Sequence, residues 1–91
     1  MISPEWIEEV ANWLERQGIG SADWLKQLRQ NYPQCHFTYC LEDEIVDTVP
    51  VLERADFNVY LVDGQGHCLQ LTQSYEVATG VVLAEKTVER S

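Results

Sequence analysis

Apolar and polar residues alternate along Phe57–Val62 and again along His67–Leu71, on either side of the glycine-bearing segment Asp63-Gly64-Gln65-Gly66. A period of two flanking a turn is the signature of a β-hairpin. Opposing Phe57 with Leu71 and Val59 with Leu69 puts four apolar side chains on one face. Asn58, Tyr60, Cys68 and Gln70 fall on the other. Only an odd-length loop allows this, most simply the three residues Asp63, Gly64 and Gln65. A slip of one residue would drive the apolar set into water, so burial should hold the register.

The flanking chain supplies helices. Ser3 reads as an N-cap and Pro4 as a first helical residue, with Glu5, Glu8 and Glu9 at the positive end of the helix dipole. Ile2 and Ile7 are spaced as a hydrophobic staple, and Ile7, Val10, Ala11 and Leu14 share one face. Gly18 should end this helix in the left-handed conformation, with Ile19 folding back on Leu14. The predicted helix is Pro4–Gln17. A shorter one opens at Gly20-Ser21, with Trp24, Leu25 and Leu28 inside, and stops before Pro33. Trp6 and Trp13 read as core packing rather than as an exposed anchor.

Cys35–Leu41 reads as a strand with Cys35, Phe37, Tyr39 and Leu41 inward. Glu42-Asp43-Glu44 is an acidic turn, Ile45–Val51 a loop broken by Pro50, and Leu52–Asp56 a helical turn. Thr72 caps a short turn over Gln73–Ala78. Val81–Ala84 is a final strand beside the hairpin, buried on both faces. The fold class predicted is α+β, an N-terminal helical hairpin packed on a small, mainly antiparallel sheet of three to four strands. One domain spans 1–91: helical hairpin 1–33, sheet with acidic loop 34–86, polar tail 87–91.

Ninety-one residues leave no room for a second domain. The net charge is −9, from 15 acids and 6 bases. Such a field repels phosphate. It therefore argues against nucleic acid, despite the helix-turn-helix look of the first third, and against an anionic membrane. Three cysteines with no basic and apolar leader argue against a secreted disulfide scaffold, and no run approaches the length of a membrane span. The expected location is the cytoplasm, and the expected state a monomer or weak dimer. A sheet edge left uncovered would be open to a second copy or a partner.

A metal site is the sharpest chemical alternative: His36 and Cys40 share one face of a strand, and Cys68 lies on the matching face of another. Their spacing is no known zinc pattern, and they read first as ordinary thiols and a surface histidine, with no cofactor. Gly64-Gln65-Gly66 sits at a hairpin tip, not between strand and helix, so it is turn chemistry. No apolar pocket to tune a carboxylate is visible, and a domain this small offers little depth for a substrate; no enzyme is expected. Between Glu42 and Asp63, seven acids face Arg54 alone. The predicted partner-binding residues are therefore Asp43, Glu44 and Asp47 in the acidic loop, with Asp63, His67 and Cys68 at the hairpin end.

The stretches Asn58-Val59-Tyr60-Leu61-Val62-Asp63, Gly66-His67-Cys68, Leu71-Thr72, Ala78-Thr79-Gly80 and Leu83-Ala84 resemble a family of small acidic bacterial proteins. Its members have no assigned biochemical function and occur among nitrogen-fixation genes. The resemblance covers residues 57–84 and carries over no catalytic residue. It implies an accessory role near nitrogenase, by binding the enzyme or by aiding its assembly or protection. The function expected is a non-enzymatic acidic accessory protein that binds a larger protein such as a nitrogenase component. The alternative is a small metal-binding or thiol redox carrier using His36, Cys40 and Cys68.

Overall fold

A computed structural model describes residues 2–21, 23–64 and 70–86. Helix α1 spans Pro4–Gln17, as its end signals predict. The Ser3 hydroxyl accepts from the Trp6 N–H at 3.2 Å, and Pro4 sits in the first turn, where its missing N–H has no partner to lose. Ile7, Val10, Ala11 and Leu14 are all buried, and Ile2 joins the same core. Gly18 ends the helix with φ 85° and ψ 122°, so it is extended at positive φ and not left-handed helical. Its N–H donates to the Leu14 carbonyl at 2.7 Å.

Helix α2 spans Trp24–Asn31, starting later than Gly20-Ser21 predicted. The chain turns at Asp23, which takes φ 72°, and the Trp24 indole N–H donates to the Ile19 carbonyl at 2.8 Å. That bond ties the interhelical segment to the core, so residues 20–21 serve the turn rather than the helix. Trp24 is buried, while Trp6 and Trp13 are half-buried against the core.

Five strands follow: β1 His36–Leu41, β2 Leu52–Glu53, β3 Phe57–Asp63, β4 Gln70–Thr72 and β5 Gly80–Glu85. The order is β1-β5-β3, with β2 and β4 sharing the far side of β3. Strands β1 and β5 are parallel, whereas β3 is antiparallel to β5, β2 and β4. The sheet is therefore mixed and five-stranded, correcting the mainly antiparallel sheet of three to four strands. Helix α2 delivers the chain to the end of the sheet where β5 also begins, His36 beside Gly80, so these neighbours must run the same way.

Two further corrections concern strand pairing. Leu52 and Glu53 lie in β2, opposite Val59 and Asn58, not in a helical turn. In the hairpin, Leu71 faces Val62 and not Phe57, and Asp63 faces Gln70, so it lies in the strand and not in a three-residue loop; Gln65 and Leu69, the other residues of the predicted register, lie outside the described residues. β2 already occupies the flank of β3 at Asn58–Val59, so β4 pairs only with its end. The shift is compensated because both faces of β3 are covered. Phe57, Val59 and Leu61 pack with Val81, Leu83, Phe37 and the helices. Tyr60 and Val62 pack on the opposite face with Val82, Ala84, Cys40, Ile45 and Leu71. Leu71 thus still meets an apolar neighbour. Strand β5 is buried on both faces, as predicted. Thr72 caps the turn after β4, its hydroxyl accepting from the Ser74 N–H at 3.1 Å.

Candidate partner-binding surface

The connection from β1 to β2 lies on the sheet face away from the helices, and the sequence explains how it is held there. Glu42–Glu44 form one 3-10 turn directly after β1. The Glu42 carboxylate folds inward, and the Tyr60 hydroxyl donates to it, 2.8 and 2.9 Å from its two oxygens. Glu44 turns back to accept from the Leu41 N–H at 2.9 Å. Ile45 enters the small cluster around Tyr60 and Val82. Farther on, the Gln73 amide donates to the Val49 carbonyl at 3.1 Å, and the Val51 N–H donates to the Val59 carbonyl at 2.9 Å.

Between these ties the side chains point out. Asp43, Glu44 and Asp47 are exposed. Val46 and Val49 are 71 % and 64 % exposed, the most exposed large apolar residues among those described. Asp47 holds φ 59°, a left-handed conformation that aspartate tolerates better than most residues. No base occurs from Glu42 to Glu53. Arg54, next along, is engaged by Glu15 at 3.0 Å and by Asn12 at 3.2 Å. Burial, then the hydrogen bond and charge of Glu42, push the Tyr60 phenol up to about 12, so it stays a donor at neutral pH.

Asp43, Glu44 and Asp47 are therefore all exposed on the one connection. Asp63 lies at the other end of the sheet: Leu41 aligns with Glu85 and Glu85 with Phe57, six residues before Asp63. At 3.3–3.4 Å per residue the separation along the strand is about 20 Å. Asp63 is half-buried and engaged. His67 and Cys68 lie outside the described residues. Reading charge alone missed Val46 and Val49, although two valines amid acids and just before Pro50 were visible in the sequence. It also missed the Tyr60–Glu42 anchor, which no local pattern reveals.

Strand β1 sets His36 and Cys40 four residues apart on one face, about 13 Å at strand rise. That exceeds what two side chains can span to one ion at bonds of about 2.0–2.3 Å. Among the described residues no group of three or more His, Cys, Asp or Glu could hold a metal. Burial, then Glu44 and Glu42, push the Cys40 thiol up, and burial pushes Cys35 up to about 11. Both are protonated at neutral pH, the less nucleophilic form. Small size does not prevent clefts here, contrary to expectation. Two clefts of about 540 and 740 Å³ flank the start of β1 and share Cys35, His36 and Thr79. No carboxylate among the described residues lines either.

Two helices on one face of a mixed five-stranded sheet, with an anchored acidic connection on the other, define a small α+β domain. Residues 18–86, covering α2 and every strand, match a family of unknown function (DUF6129), and the chain belongs to that family. No curated protein and no solved structure matches it.

Proposed function

We propose that this chain is a non-enzymatic, acidic accessory protein of the cytoplasm that docks on a basic surface of a larger protein through the β1–β2 connection. The observation that carries this reading is the exposure of Val46 and Val49 in a loop tied at both ends, together with the exposed acids Asp43, Glu44 and Asp47 of the same loop. A pre-ordered loop loses little conformational freedom on binding. Its two valines offer apolar area to bury, and its acids steer and orient a basic partner. The resemblance to proteins encoded among nitrogen-fixation genes supports a nitrogenase component, or its assembly machinery, as that partner.

The test is binding of the purified chain to purified nitrogenase components by surface-immobilised titration. Two paired variants are compared with the unaltered chain: Val46→Ser with Val49→Ser, and Asp43→Asn with Asp47→Asn. Asparagine is chosen at Asp47 because it too tolerates positive φ. Each pair is expected to weaken binding at least about tenfold, and salt to weaken the unaltered chain more than the uncharged pair. Binding indifferent to both pairs would remove the loop from the interface. Binding absent from nitrogenase but present with another basic protein would keep the loop and reject the partner.

A further inference from the structure

Among the described residues strand β1 forms one edge of the sheet, opposite the edge made by β2 and β4, and its outer side has a definite polarity. The His36 N–H points to the Thr79 carbonyl, so His36, Thr38 and Cys40 bond toward β5. Phe37, Tyr39 and Leu41 must then turn their backbone N–H and C=O groups outward. Two of these outward groups are plugged by side chains. Arg29 donates to the Phe37 carbonyl at 3.0 Å, and Glu44 accepts from the Leu41 N–H at 2.9 Å. Between the plugs lies Tyr39, 40 % exposed, with an outward N–H and C=O that nothing described caps.

We propose that β1 pairs antiparallel with β1 of a second copy of this chain, about a two-fold axis at Tyr39. The edge is self-complementary under that rotation and under no simple translation. Centring on Tyr39 opposes Phe37 with Leu41 of the other copy. The Leu41 N–H of one copy then replaces Arg29 at the Phe37 carbonyl of the other, and the two displaced side chains are left beside each other. Each Arg29 meets Glu44 of the second copy, twice per dimer, so two internal caps are exchanged for backbone bonds and two ion pairs. Half-buried Leu25 and the ring of Tyr39 lie near the axis, with Asp23 and Glu85, the acceptor of the Tyr39 hydroxyl, beside them. An in-register parallel pair would instead set Glu44 beside Glu44 and Arg29 beside Arg29. Net charge of −9 on each copy opposes association. The expected dissociation constant is therefore weak, on the order of 100 µM.

Sedimentation equilibrium of the purified full chain, without any partner, tests this separately from docking. The mass should rise reversibly from 10.5 kDa toward twice that as concentration increases. Arg29→Glu alone and Glu44→Arg alone should each weaken the dimer at least about tenfold, because each sets like charges across the axis twice. Mixed in equal amounts, the two variants should dimerise with each other, since every contact then joins opposite charges. Recovery on mixing cannot come from the lost internal caps, which both variants lack in part. Tyr39→Pro, which removes the outward N–H together with the ring that meets Trp24 and the hydroxyl bonded to Glu85, should abolish pairing in the otherwise unaltered chain. Circular dichroism confirms folding of each. A mass that stays at one chain up to about 1 mM, where a dimer this weak would be well populated, would overturn the proposal. So would a dimer unaffected by both single variants, or a mixture that stays monomeric.

Discussion

Tyr60 does two jobs from one position. Its ring is 1 % exposed and fills the second face of the sheet, while its hydroxyl fixes Glu42 and so fixes where the acidic connection begins. Replacing Tyr60 with Phe keeps the ring but leaves a half-buried carboxylate without its donor. We expect a loss of roughly 1 kcal/mol at neutral pH by chemical denaturation. The same bond sets an alkaline limit. The phenol moves from 10.0 up to about 12, chiefly by burial and then by Glu42. Below pH 10 folded and unfolded chains both hold the proton and the contribution is complete. Between 10 and 12 only the unfolded chain ionises, so stability falls as pH rises. Tyr39, raised to about 12 first by its bond to Glu85, acts in the same direction. Denaturation midpoints measured across this window should fall less steeply for Tyr60→Phe than for the unaltered chain. Equal slopes would mean that the hydroxyl is not buried.

Among the elements, the β1–β5–β3 junction is the least forgiving. A Cβ at Gly80 would stand 2.7 Å from the His36 carbonyl oxygen, 2.9 Å from the His36 Cβ and 3.0 Å from Val62. Two of these neighbours belong to strand backbone or lie one bond from it, and they cannot swing away. Gly18 has open space around it but φ 85°, so its constraint is conformational; Gly20 has open space and no such φ. Alanine substitutions should therefore rank in three steps. Gly80→Ala should cost about 2 kcal/mol or more through overpacking, and Gly18→Ala about 1 kcal/mol through backbone strain. Gly20→Ala should be near neutral or slightly stabilising. Thermal denaturation of the three variants reads the order directly, and Gly80→Ala proving the mildest would contradict the strand register.

For the whole molecule the dominant long-range quantity is charge. With 15 acids against 6 bases, and Arg54 already engaged by Glu15, like-charge repulsion exceeds local pairing. Exposed pairs contribute little and are screened along with the repulsion. Stability should therefore rise as sodium chloride increases from low ionic strength to about 0.5 M, where the screening length is only a few ångströms. The denaturation midpoint as a function of salt checks this. A fall would show that specific ion pairs, not net repulsion, control the fold.

Local signals determined what local physics can determine. Ser3, Pro4 and Gly18 set the limits of α1, because caps act within a turn of the residues they cap. The unbroken run Val81-Val82-Leu83-Ala84 could only be a strand buried on both sides. The acidity of Glu42–Asp47 was plain at once. Which strands lie side by side was decided by tertiary structure, because neighbours distant in sequence compete for the same edge. Taking Asn58 and Tyr60 as solvent-facing put Leu71 on the wrong face. The partners that bury Tyr60, namely Glu42, Ile45 and Val82, come from segments before and after the hairpin. Likewise β2 took the flank of β3 that the sequence had assigned wholly to β4, and so displaced the register. Alternation within a strand identifies its two faces; only the packed neighbours decide whether one or both are buried.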